Sequence, residues 1–295
     1  MVRAVDGRWV SVALMEEPMK ALVQSYARTK AANLDEYLQV MQSHTNSSNN
    51  TLFADGEGNI AYLHSNFVPV RDERFDYDAP VDGSDPATDW RGVHSIPESP
   101  NVINPGTGWA YNTNNYPYSA AGEDSPRQDD YPRYMDRGSE NARGVHAIML
   151  LEGKTDFTVE GLRAAAYDSY ITGFDDLLPA LFSDFDALAA GTSQRAELSE
   201  AVNLLRGWDR RWGVESVPTS VAIFWGEELQ RSVRDAARDA GLSALDYAVT
   251  PAARPARLAA LAAAMTRLGE DFGDWRTPWG EINRFQRLTG DIVQP

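Results

Sequence analysis

The chain has 295 residues, 43% of them hydrophobic, enough to bury a substantial core in one large domain or two smaller ones. Its 43 acidic against 27 basic residues give a net charge of −16, which argues against nucleic acid as a partner, because phosphate recognition needs a clustered basic surface. The absence of cysteine excludes disulfide frameworks and thiol chemistry, and no apolar run approaches the roughly 18 residues that a membrane span requires.

In chain order, residues 7–14 read as a short strand. Pro18 stands where a first helical turn tolerates it. Asn33 with Glu36 then makes a capping-box-like start for a helix whose Leu34, Tyr37, Leu38 and Met41 share a face. The turn residues Asp55 to Asn59 separate Leu52-Phe-Ala54 from Ile60-Ala-Tyr-Leu-His64, the pattern of a β-hairpin. Residues 68–142 are rich in proline, glycine, aspartate and aromatics but lack periodicity. A loop of that length in a compact domain usually serves a site, and it is expected to wrap over a sheet with short strands near 102–104 and 108–113. Beyond Arg143 the pattern becomes helical: Leu198, Ala201, Val202 and Leu205 share one face, and Leu258, Leu261, Ala262, Met265 and Leu268 another. The Ala-rich run 252–264 reads as helix. The expected class is therefore α+β, with a sheet and long-loop portion at 1–142 and a mainly helical portion at 143–295.

Several chemistries find no support. The four histidines, His44, His64, His94 and His146, form no HExxH pair and are expected in surface or supporting roles, so no zinc site and no other cofactor is implied. Asp55 and Asn59 lack the acidic spacing of a calcium loop and read as a turn. There is no Gly-x-Ser-x-Gly elbow and no P-loop. The triplets Asn46-Ser-Ser48 and Asn49-Asn-Thr51 fit a glycosylation pattern but lie in a polar turn-like stretch, and are expected to be unmodified. The asparagine cluster is different. Asn112, Asn114 and Asn115 follow Asn104-Pro-Gly-Thr-Gly-Trp109 and place several primary amides at the end of an expected strand. An amide NH2 can donate to a developing oxyanion without a charge that needs compensation.

Five segments in order, Asn50 to His64, Pro69-Val-Arg71, Asp89-Trp-Arg-Gly92, Asn104 to Pro117 and Pro278 to Arg287, resemble the penicillin acylase family over nearly the whole chain. That resemblance implies part of an N-terminal-nucleophile hydrolase with an αββα sandwich, cleaving linear acyl-amide bonds such as those of β-lactams, acyl-homoserine lactones or lipopeptides. The nucleophile would be a serine freed by autocatalytic cleavage, with its own α-amine as base, since an α-amine titrates near neutrality. In the family's Asn-x-Asn-Asn run the second asparagine, here Asn114, donates to the oxyanion. The family's orienting arginine maps onto Arg143, with Arg137 close by in the same variable loop. The serine has no counterpart after Met1, so the resemblance implies a catalytic-subunit fragment, a single partial domain over 1–295 with its active-site loop in 1–142, that lacks the nucleophile and is inactive and unstable alone. Its partners would be a small-molecule acyl-amide substrate and the rest of the same precursor, namely a small α subunit and the missing β segments, with the parent periplasmic or secreted. The alternative is a non-catalytic binding or relic domain on an acylase-like scaffold. A carbohydrate module, suggested by the tryptophans and tyrosines, is disfavoured because such aromatics more often form core.

Overall fold

Residues 2–284, apart from 6 and 47, are described by the computed structural model, and they fall into two units, Met1–Phe157 and Thr158–Pro295. The protein is α+β. The last residues of the Pro278 to Arg287 segment lie outside the described residues, as does Ser47 of the first glycosylation triplet.

The first unit opens with a two-stranded antiparallel hairpin, β1 (Val2–Val5) and β2 (Arg8–Ser11), turning at Gly7 with φ +75°. The expected strand over 7–14 is therefore shorter and belongs to a hairpin. The pairing register runs from Val5–Arg8 to Val2–Ser11. Pro18 does start α1 (Pro18–Ala27). In α2 (Leu34–Met41) the Asn33 side chain accepts from the Glu36 backbone N–H at 2.9 Å. The Glu36 carboxylate reaches back one residue further than a capping box requires, to the N–H of Ala32.

The predicted hairpin forms as β3 (Thr51–Ala54) and β4 (Ile60–Leu63), and β5 (Asn101–Ile103) joins it in an antiparallel sheet of order β3-β4-β5. The Asp55 carboxylate stitches the turn by accepting from the side chain and backbone N–H of Asn59 and from Glu57 N. It also accepts from Leu34 N at the start of α2, and these donors hold its pKa below the ordinary aspartate value. Strand alternation then places the core. Ala61 and Leu63 pack under Leu34, Tyr37 and Met41 of α2, while Tyr62 faces the other way into Val102, Ala120 and Ala121. β4 is thus covered on both faces.

Much of the aperiodic region 68–142 pairs with itself. Val70 N donates to Gly92 O, Arg91 N to Val70 O and His94 N to Val68 O. The expected strand at 108–113 does not form. Asn104 at φ +49° and the turn from Pro105 to Gly108 swing the chain away from β5, and Tyr111 N donates instead to Ala120 O at 2.9 Å. The unit closes with α3 (Ala142–Leu151).

The second unit is helical: α4 (Val159–Ala166), α5 (Leu177–Asp186), α6 (Ser193–Arg206), α7 (Val217–Asp239), α8 (Ala244–Ala248), α9 (Arg254–Phe272) and α10 (Trp279–Ile282). The four residues picked out on α6 are all buried, as are Leu258, Leu261 and Leu268 on α9, with Ala262 and Met265 partly buried beside them. They surround Trp225 of α7, whose indole N–H donates to Arg257 O at 3.0 Å.

Candidate active site

The loop after Tyr111 is shaped by its own side chains. Asn115 is buried, and its Oδ1 accepts from Thr113 N at 3.0 Å, a bond back to the residue two before it that closes a tight turn in the loop. The turn leaves Asn114 at φ +59°, a left-handed conformation that asparagine tolerates better than most residues. The Asn114 side chain is exposed and lines a cavity of about 450 Å³ together with Asn50, His64, Asn66, Asn112 and Asn115.

Arg143 reaches the same point from α3. Asn141 caps that helix by accepting from Arg143 N and Gly144 N, each at 3.0 Å, and its own amide donates to Thr113 O at 3.2 Å. A side chain on the first turn is thereby brought over the loop, and Arg143 Nη1 donates to Asn114 Oδ1 at 3.3 Å. With its oxygen tied to the guanidinium, Asn114 keeps its Nδ2 without a hydrogen bond among the described residues. Arg137 lies elsewhere, paired with Asp76 at 3.1 Å and with Asp78.

Asn50, immediately before β3, holds the loop from the opposite side. Its Nδ2 donates to Asn112 Oδ1 at 3.1 Å and to Asn115 O at 3.2 Å. Its Oδ1 sits 2.6 Å from His64 Nδ1, so that nitrogen carries the proton and donates. His64 follows β4, is only 6% exposed, and has its Nε2 3.7 Å from the Asp136 carboxylate. Burial lowers its pKa from the ordinary 6.5, outweighing the upward pull of Asp136 and the Met135 carbonyl. Of the other histidines, His94 contacts Tyr134 OH at 3.0 Å, and neither it nor His44 or His146 lines the cavity.

A stability consequence follows with a definite sign. The unfolded chain takes up the His64 proton near pH 6.5, while the folded chain resists it until lower pH. The unfolded state therefore binds more protons in that window, and stability falls as the pH drops from 6.5 through the folded value. Urea denaturation of wild type and His64→Gln at a series of pH values should show a shallower acid-side loss in the variant. Equal slopes would mean that His64 titrates normally.

Asn50 and His64 both fall in a segment that the sequence marks, but the grip of Asn50 on the asparagine loop, and that of His64 on Asn50, are contacts with no local signature. Glu140 had no signal beyond its closeness to Arg143.

The fold defines the class first. The chain superposes over 92% of its length on a thermostable penicillin G acylase from Alcaligenes faecalis, with a TM-score of 0.61 at 19% identity and 60% of that chain covered, so it shares the fold of an acylase. Residues 2–291 match the family described as penicillin amidase, and the chain belongs to that family. It is 30% identical over 209 residues to the penicillin G acylase of Escherichia coli, a match covering 70% of this chain and 22% of that protein. The chain therefore spans about a fifth of that curated relative.

Proposed function

We propose that this chain supplies the oxyanion-stabilising part of an amide hydrolase acting on linear acyl amides, and that the nucleophile is an N-terminal residue borne by polypeptide outside these 295 residues. The observation that carries the reading is the carboxamide of Asn114, a residue that lines the cavity: its oxygen is held by Arg143 and its Nδ2 has no hydrogen bond among the described residues. In the reaction a hydroxyl attacks the amide carbonyl carbon and its proton passes to the α-amine. The carbonyl oxygen becomes an anion that accepts from Asn114 Nδ2–H. Collapse expels the amine, which takes that proton, and water then releases the acid from the acyl ester. Arg143 fixes which end of the carboxamide faces the oxyanion, so the donor needs no reorganisation as charge develops. Family membership and the partial span of the relatives support a division of labour between this chain and the rest of a longer precursor.

The test is to express the complete reading frame, sequence the mature N-terminus of the large subunit, and assay penicillin G, an acyl-homoserine lactone and a series of acyl anilides. A Ser, Thr or Cys at that N-terminus together with release of the acyl acid is the expected result. A protein with no such N-terminus, or one that hydrolyses none of these amides, would leave a binding or relic scaffold instead.

A further inference from the structure

We infer that Glu140 is a positioning residue of this site, an inference that rests on the acylase reading above: its carboxylate locks the Asn112 to Tyr116 loop onto the first turn of α3, and so sets the Asn114–Arg143 pair. Glu140 accepts from Tyr111 OH at 2.6 Å, from Ser119 Oγ, from Asn115 Nδ2 at 3.0 Å, and from the backbone N of Asn141 at 2.8 Å. One carboxylate thus gathers four donors from two segments separated in sequence. The residues to be aligned sit beside those contacts. Asn114 immediately precedes Asn115, and Arg143 follows Asn141 by two residues on the capped turn.

Three features mark the arrangement as specific to a carboxylate. All four partners can donate, and an ionised carboxylate is acceptor-only with room for about four such bonds, whereas a glutamine would turn its own NH2 towards a donor. The helix is also cleared for it: a Cβ built on the buried Gly144 would overlap the Glu140 carboxylate and come within 3.0 Å of Tyr111 OH. Finally, the Tyr111 phenol is pushed up by burial and then by its bond to Glu140, so it remains a donor at any ordinary pH.

Glu140→Gln is close to isosteric and tests the placement without emptying the site. In the complete protein kcat should fall about 10–100-fold with KM nearly unchanged, the signature of a misplaced transition-state donor. Acetate should restore part of the lost turnover to Glu140→Ala. In the ¹⁵N-labelled 295-residue chain, the Asn114 side-chain amide and the Arg143 Nε resonances should shift in Glu140→Gln, while the Trp225 indole resonance of the second unit stays in place. Unmoved Asn114 and Arg143 signals, or wild-type kcat in an active Glu140→Gln enzyme, would overturn the assignment. A wild-type protein that hydrolyses no amide would instead defeat the proposed function, and the resonance comparison would still decide whether Glu140 sets the pair.

Discussion

Arg257→Ala is expected to lose about 3–5 kcal/mol of stability, the effect of stripping one partner from a buried ion pair. Arg257 is 2% exposed, and its Nε donates to Asp184 Oδ2 at 2.6 Å while Nη1 donates to Ala248 O at 2.5 Å and Thr250 O at 2.8 Å. The side chain therefore ties α5, the end of α8 and the start of α9 with one fork. Among the described residues, alanine would leave the buried Asp184 carboxylate with Arg254, 3.8 Å away, as its remaining cation, and would take the guanidinium donor from Ala248 O and from Thr250 O, the latter keeping Ala253 N at 3.2 Å. Denaturant titration of the 295-residue chain, followed by tryptophan fluorescence, reads the loss. The double replacement Asp184→Leu with Arg257→Met should recover most of it, because an apolar pair of similar volume removes the stranded charge. A single-variant loss below about 1 kcal/mol would show that the pair is solvated like a surface bridge.

The second large effect concerns chemistry. On the proposed reading, Asn114→Ala in the complete protein is expected to lower kcat by about 10²–10³ while leaving KM nearly unchanged, since an oxyanion donor acts on charge that develops only in the transition state. The backbone complicates alanine, because φ is +59° at this position and a Cβ without a compensating polar group adds about 1–2 kcal/mol of strain. Asn114→Gly removes the amide and the strain together, so it isolates the donor. If both variants lose activity alike, the carboxamide is responsible; if glycine restores turnover, the loop conformation was the whole effect and the oxyanion role fails. Arg143→Ala is the milder companion, expected to lie between wild type and Asn114→Gly because the amide remains but is no longer held by its oxygen.

Much of the scaffold was legible because it follows a short period. The apolar faces of α2, α6 and α9 declared themselves at helical spacing, and the β3–β4 hairpin did so through Asp55 to Asn59, whose side chains make the turn they suggest. Asn114 and Arg143, which family resemblance picked out, do meet across 29 positions of sequence. Their surroundings were not legible. Asn50 and Glu140 reach the asparagine loop through hydrogen bonds spanning 65 and 25 residues, His64 holds Asn50 across 14, and such bonds impose no period on the chain. The mistaken strand at 108–113 has the same origin. Its residues favour an extended backbone, but Asn104 and Gly108 adopt positive φ and redirect the chain before it can pair.

The two units are held together by different means. In the first, apolar clusters are small and the loop that bears Asn114 is fixed by carboxamides, a carboxylate and a buried imidazole; in the second, an extensive apolar cluster surrounds Trp225. Burial of apolar surface raises the heat capacity of unfolding and weakens on cooling, whereas exposure of polar groups works in the opposite direction. The helical unit therefore carries the larger share of the heat-capacity step and the greater sensitivity to cold. The unit that bears Asn114 carries the smaller share, and the part of its stability that rests on the neutral His64 is lost as the pH falls below 6.5.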